Sequence, residues 1–389
     1  MFTRRKALVP LLAVGTLVAV AVTPSSGSAL TVLARETVAA HGAWVDVGPM
    51  PVRRSDQTMV RLHDGRVLVL GGGNSGDCCC KHAVDLYDPF TDVWAQRAPM
   101  PRERCASAVV VLKNGRVMVA GGSGMVKDTG LIRDRRSVEI YHPMTDRWTF
   151  TTPMLRKRSG AVAALLPHGR VLVAGGVTFK SGLRSAEVYN PKTAKWRMAP
   201  PMAAPHTSSV QLRNGDLLVA GDPSWRTPRV CKAERFVVTR QVWRPAGASK
   251  GACIGRMFRL PSGKVLAIGQ HKVYRYNPVT LRWRRSVPLP LAVRDVYVGA
   301  VVPVYGLPLV LSSRISCHPD RGVGLGYLWR PLQHRWVRWT TMPTPLAGFA
   351  ALQLADGSIL VAGGVSYFRS CIGGDHIPTR AAYRYYATS

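Results

Sequence analysis

The feature that most narrows the fold is a short apolar strand ending in paired small residues, which recurs along almost the whole chain. It reads VLVLGG at Val67–Gly72, VMVAGG at Val117–Gly122, VLVAGG at Val171–Gly176, LLVAGD at Leu217–Asp222, VLAIGQ at Val265–Gln270, LVLSS at Leu309–Ser313 and ILVAGG at Ile359–Gly364. The copies stand about fifty residues apart, a period that signals stacked, like supersecondary units. Most copies follow a tight-turn pair: Asp64-Gly65, Asn114-Gly115, Asn214-Gly215 or Asp356-Gly357. Such pairs adopt the positive backbone dihedrals that join two antiparallel strands.

Downstream of the first six small pairs comes an aromatic residue, and seven positions later a tryptophan: Tyr87 and Trp94, Tyr141 and Trp148, Tyr189 and Trp196, Phe236 and Trp243, Tyr276 and Trp283, Trp329 and Trp336. Between them lie turn sequences such as DPFTD, HPMTD and NPKTA, in which proline presets the turn and a short polar side chain bonds back to the backbone. Met or Leu follows at a fixed interval, usually before proline: Met50, Met100, Met154, Met202, Leu289 and Met342, with Ser249 as the exception. The joint pattern resembles the kelch repeat, whose four-stranded sheets form the blades of a β-propeller. The resemblance covers nearly all of residues 43–389 and implies an all-β, seven-bladed β-propeller of kelch repeats. The last copy stops before any tryptophan, whereas AWVDVGPMP at Ala43–Pro51 supplies Trp44 and Met50 at the expected spacing. The ring is therefore expected to close by the N-terminal strand joining the C-terminal blade, which removes free sheet edges.

The N-terminus reads as an export signal: Arg4, Arg5 and Lys6, an apolar run from Ala7 to Val22, then small residues with a cleavage pattern at Gly27-Ser28-Ala29. The expected organisation is a signal peptide at 1–29, a short linker at 30–42 and the propeller at 43–389. An uncleaved N-terminal anchor is the alternative, and the sequence leaves the choice between general and twin-arginine export open. No later stretch is apolar enough to cross a bilayer, so the mature protein is expected to be secreted or to reside in the periplasm or cell envelope. In an oxidising compartment eight cysteines suggest disulfides.

Alternating strands sort the loops onto two faces, one with short turns and one with long irregular loops. All eight cysteines, Cys78, Cys79, Cys80, Cys105, Cys231, Cys253, Cys317 and Cys371, fall on the long-loop face. The layout permits Cys231 with Cys253, Cys317 with Cys371, and Cys105 with one of the triplet, although connectivity is not deducible from sequence. His82, His206, His271, His318 and His376 share that face. Thiolate and imidazole together suit copper or zinc, and a redox-active thiol is a further alternative. No CxxC or HxxxH pair is present, and disulfides are the favoured reading. Galactose oxidase is a kelch-type copper enzyme, but no copper ligand of that family carries over: the one adjacent pair, Tyr141-His142, sits at ordinary repeat positions on the opposite face.

The long-loop face also carries a basic collar. Arg54, Arg104, Arg158 and His206 stand four residues beyond the repeat Met, followed by Ser55, Cys105, Ser159 and Thr207. Kelch domains that bind acidic peptides resemble this in using arginine and serine there, and the arginine fork suits carboxylate, sulfate or phosphate. Arg54, Ser55, Arg104, Arg158, Ser159 and His206 are accordingly the candidate ligand-binding residues. With a formal charge of +32, the expected partner is an anionic polysaccharide or an acidic protein, and no nucleic acid is expected. Arg66, Arg116, Arg147, Arg170 and Arg282 on the opposite face support the plainer reading of a solvated basic surface. No catalytic signature and no cofactor are expected under the binding reading. The alternative is an exported metal-dependent carbohydrate oxidoreductase resembling galactose oxidase, with copper or zinc. Oligomeric state is not legible.

Overall fold

A computed structural model describes residues 42–73, 80–126, 129–221, 230–250, 254–269, 272–290, 297–314, 322–368 and 376–388. The signal peptide expected at 1–29 and the linker expected at 30–42 lie outside these residues, except for Gly42, which begins the first strand. All described residues belong to one compact unit, Val38–Ser389.

Seven four-stranded antiparallel sheets account for the repeat. We call them blades one to seven and their strands a to d in spatial order. Blade one comprises Thr58–Arg61, Val67–Leu70, Val84–Asp88 and Val93–Arg97. Blade two comprises Ala108–Val111, Val117–Ala120, Val138–His142 and Arg147–Thr151, and blade three Val162–Leu165, Val171–Ala174, Ala186–Asn190 and Lys195–Ala199. Blade four comprises Ser208–Gln211, Leu217–Ala220, Val230–Val237 and Val242–Lys250. Blade five comprises Ile254–Arg259, Val265–Gly269, Val273–Asn277 and Arg282–Arg285, and blade six Tyr297–Val304, Leu307–Arg314, Val323–Arg330 and Arg335–Thr341. In blade seven, Ala350–Gln353, Ile359–Ala362 and Ala382–Ala387 are joined by Gly42–Asp46, whose Trp44 pairs with Tyr385. Strands a of successive blades touch one another, and that of blade seven touches that of blade one. Among the described residues the one helical turn is Pro167–Gly169.

The repeat residues explain the stacking. Strand b is buried throughout in six of the sheets because blades cover both of its faces, which is why it reads as an unbroken apolar run. The aromatic of strand c and the tryptophan of strand d are direct cross-strand partners, as in Tyr141↔Trp148, with ring centroids 5.0 Å apart. In blades two, three and five the indole then fastens the blade to the one before it. Trp148 Nε1 donates to Ala98 O at 2.8 Å, Trp196 to Thr152 O at 2.8 Å and Trp283 to Ala246 O at 2.7 Å. The N-terminal strand obeys the same rule, since Trp44 Nε1 donates to Thr340 Oγ1 at 2.7 Å.

The glycine pair answers a different need. A side chain at Gly121 would meet Arg158 O at 2.5 Å, and one at Gly122 would meet Cys105 O at 2.6 Å, so two backbones approach here too closely for any Cβ. The buried Met154 packs beneath, with its methyl carbon 2.9 Å from the same hypothetical atom at Gly121.

Candidate functional site

The basic collar lies inside the blades. Arg54, Arg104, Arg158 and His206 are 0 to 1% exposed, and each meets a carboxylate on strand c of its own blade. Arg54 Nη2 donates to Asp85 Oδ2 at 2.5 Å, while Nη1 donates to Ala83 O at 2.8 Å. Arg104 grips Glu139 with two nitrogens, Nη2 at 2.5 Å and Nε at 3.3 Å, and donates to Gly121 O at 2.6 Å and Ser137 Oγ at 2.8 Å. Arg158 repeats the arrangement with Glu187 at 2.6 Å, Gly175 O at 2.9 Å and Ser185 O at 3.0 Å. In blade four, His206 Nε2 stands 3.0 Å from Glu234 Oε2, and Nδ1 3.1 Å from Gly221 O.

These side chains tie together the long-loop ends of strands b and c. Their own backbones serve the neighbouring blade. Gly122 N donates to Arg158 O at 2.8 Å, Gly176 N to His206 O at 3.1 Å and Gly364 N to Arg54 O at 2.9 Å. Arg54, Arg158 and His206 thus link their own blade, through the side chain, to the preceding one, through the carbonyl, while Arg104 reaches the preceding blade through its amide, which donates to Lys81 O at 3.2 Å. The carboxylates also hold the incoming chain: Glu187 accepts from Leu155 N and Arg156 N, and Glu234 from Ala203 N and Ala204 N.

Burial disfavours charge on both members of such a pair. It raises the Asp85 carboxyl and lowers the Arg54 and Arg158 guanidinium groups, with ion pairing opposing the shift in each case. At Glu234 burial acts in the same upward direction, but the hydrogen bonds from His206 and the Ala203 and Ala204 amides outweigh it and hold the carboxyl below its ordinary value.

The collar expected to contact ligand lies instead within the blades, each member paired internally. A guanidinium buried inside the blade, with its terminal nitrogens on a carboxylate and carbonyls, has little left to offer a partner. Ser55 and Ser159 follow suit: both are buried, in backbone bridges to Gly73 and Val177, and Ser159 Oγ donates to Asp134 Oδ1 at 3.1 Å. Sequence reasoning missed the carboxylates, although they sit in register two residues before the repeat aromatic, in DLY, EIY, EVY and ERF.

What the long-loop face exposes is the segment just ahead of each brace. Arg53, Arg102, Arg156 and Lys157 are exposed, as are Arg133 and Arg136 around the small hairpin of blade two. Arg102 lies over the Phe150 ring at 5.3 Å. Arg135, by contrast, is spent on Glu103 O and Met125 O, at 3.1 and 2.8 Å. Asp134 joins neighbouring loops by also accepting from Phe179 N at 2.8 Å.

Of the cysteines, Cys80 and Cys105 form a disulfide, with Cα atoms 5.1 Å apart. It pins the b-to-c loop of blade one to the chain entering blade two, closing a separation of 25 residues. Cys78, Cys79, Cys253, Cys317 and Cys371, the side chain of Cys231, and the histidines His271 and His318 lie outside the described residues. Among the described residues no group of three His, Cys, Asp or Glu side chains is placed to hold a metal. Tyr141 OH donates to Asp146 at 2.7 Å, His142 Nε2 lies 2.9 Å from Thr149 Oγ1, and His206 is committed to Glu234. The described donors therefore do not fit a galactose oxidase type of copper site.

Residues 104–155 and 158–203 match the Kelch motif, which places the match on blades two and three. The protein is a seven-bladed β-propeller that carries Kelch motifs in blades two and three. Both matched stretches begin at or beside a bracing arginine, so the brace is part of the repeat. Among solved structures, the propeller is similar to a fungal alcohol oxidase of the AA5 family in complex with copper, with a TM-score of 0.64 and 17% identity over 90% of this chain and 76% of that one. At that identity the likeness concerns the fold. No curated protein matches the sequence.

Proposed function

We propose that the propeller is an interaction module which holds an anionic polysaccharide or an acidic protein on the long-loop face of blades one to three. The observation that carries this reading is the separation of charges. The buried collar is neutralised by its own carboxylates, whereas the exposed Arg53, Arg102, Arg133, Arg136, Arg156 and Lys157 have no ion-pair partner among the described residues. Unpaired cations spread over adjacent loops attract a polyanion at long range and suit multidentate contacts. No cofactor has a part in this reading. A disulfide at Cys80–Cys105 agrees with an oxidising, exported setting, and no helix among the described residues is long and apolar enough to cross a membrane.

The test is binding of a sulfated oligosaccharide and of polyglutamate to the full protein over a salt series. Changing Arg53, Arg102, Arg156 and Lys157 together to alanine should weaken binding at least tenfold and flatten its salt dependence, with the melting temperature little changed. Unchanged binding in that variant would refute the assignment.

A further inference from the structure

On the opposite side from the long loops, blade five carries a basic groove of ≈ 490 Å³, lined by Lys264, Arg275, Asn277, Thr280, Arg282 and Arg284. Arg275 of strand c and Arg284 of strand d are direct cross-strand partners, as are Asn277 and Arg282 one step nearer the turn. Like charges directly opposite one another destabilise a sheet unless an anion lies between or beside them. Two sister blades pair the equivalent arginine with carboxylates of the protein itself.

In blade four the residue equivalent to Arg275 is Arg235, which also faces an arginine, Arg244. Arg235 Nε stands 3.5 Å from Asp216. In blade seven the equivalent residue is Arg384, which donates to Asp92 of blade one at 2.8 Å and pairs with Asp356. Superposing the repeat registers puts Lys264 where Asp216 stands, Ser262 where Asp356 stands and His334 of blade six where Asp92 stands. His334 even keeps the positive φ of Asp92 and the contact, since Arg275 Nη1 lies 3.3 Å from its Nδ1. Every carboxylate that neutralises this arginine in the sister blades is thus absent in blade five, and one of them is replaced by a further cation. Among the described residues no carboxylate pairs with Lys264, Arg275, Arg282 or Arg284.

We propose that this groove binds an external oxyanion, a carboxylate or sulfate group, which takes the place that Asp216, Asp92 and Asp356 fill in blades four and seven. Arg275 and Arg284 supply the paired guanidinium forks, Lys264 and Arg282 flank them, and Asn277 and Thr280 offer polar groups at the turn end. The site is separate from the long-loop face and does not depend on the function proposed there.

The test is thermal unfolding and calorimetric titration of the full protein with citrate and with sulfate, at an ionic strength held constant with sodium chloride. The expected result is saturable stabilisation of the wild type by at least one of the two anions, with the stronger one identifying the ligand chemistry. Lys264→Asp restores the carboxylate of blade four. It should raise the melting temperature without ligand and weaken anion binding at least tenfold. Arg284→Gln should weaken binding as well, while both variants keep wild-type polyanion binding on the long-loop face. Failure of both anions to stabilise the wild type, or titrations of Lys264→Asp and Arg284→Gln that match it, would overturn the proposal.

Discussion

Blades one to four and blades five to seven solve the same packing problem with different chemistry. In the first group a cation ahead of strand a meets a carboxylate on strand c, in the pairs Arg54–Asp85, Arg104–Glu139, Arg158–Glu187 and His206–Glu234. In the second group the strand c position holds Tyr274, Tyr327 or Tyr383. In blade seven the cation becomes the fully buried Leu346, and Tyr383 OH shares a 2.7 Å hydrogen bond with Thr344 Oγ1. The two positions change together, so they form one structural unit. An apolar and aromatic pair does the same task without burying charge. The arginines are therefore one of two interchangeable braces, which argues against reading them as a ligand site on the strength of their charge.

The comparison can be broken most forcefully by removing one member of a buried pair. Arg104→Ala leaves Glu139 buried without its partner and should cost about 3–5 kcal/mol of stability, measured by denaturant unfolding. The same truncation at the exposed Arg102 should cost under about 0.5 kcal/mol. Next in size is Cys105→Ala, which opens the Cys80 bridge and should cost on the order of 3 kcal/mol, with the effect reproduced in wild type by a reductant. Tyr383→Phe removes only the hydrogen bond of blade seven and should cost about 1 kcal/mol.

The smallest effect concerns pH. Glu234 has a folded pKa below its unfolded one, so its contribution is present above the unfolded value, about 4.3, and is lost as pH falls through the folded value. Stability curves of wild type and Glu234→Gln should therefore converge in acid and diverge towards neutrality. Parallel curves across that range would show that the carboxylate charge is not what braces blade four.

Much of the fold was legible in the sequence because kelch packing is written in local, repeated residues. The glycine pair, the aromatic and the tryptophan of Gly121, Tyr141 and Trp148 recur at fixed intervals, and each has one packing task. The brace was half legible. Arg104 was visible as a repeat position, but its partner Glu139 lies 35 residues away, and charge alone reads equally as a binding residue or as a buried pair. Only the two positions taken together, cation with carboxylate in four blades and Leu346 with Tyr383 in blade seven, separate the readings. The Cys80–Cys105 bridge was narrowed to the triplet and no further, since three adjacent cysteines reach Cys105 equally well in sequence. The blade five groove was invisible for a related reason: Arg275, Arg282 and Lys264 read as ordinary surface charge until Asp216 and Asp92 appear at the matching places in other blades.

The most direct measurement is a double-mutant cycle that rewrites blade two in the chemistry of blade seven, with Arg104→Leu, Glu139→Tyr and both together, followed by denaturant unfolding. If the two positions are one brace, each single change costs several times RT, about 0.6 kcal/mol, and the double variant is less destabilised than the sum of the singles by at least about 2 kcal/mol while retaining polyanion binding. Additive costs, or loss of polyanion binding in the folded Arg104→Leu protein, would contradict the account and return the collar to the ligand site.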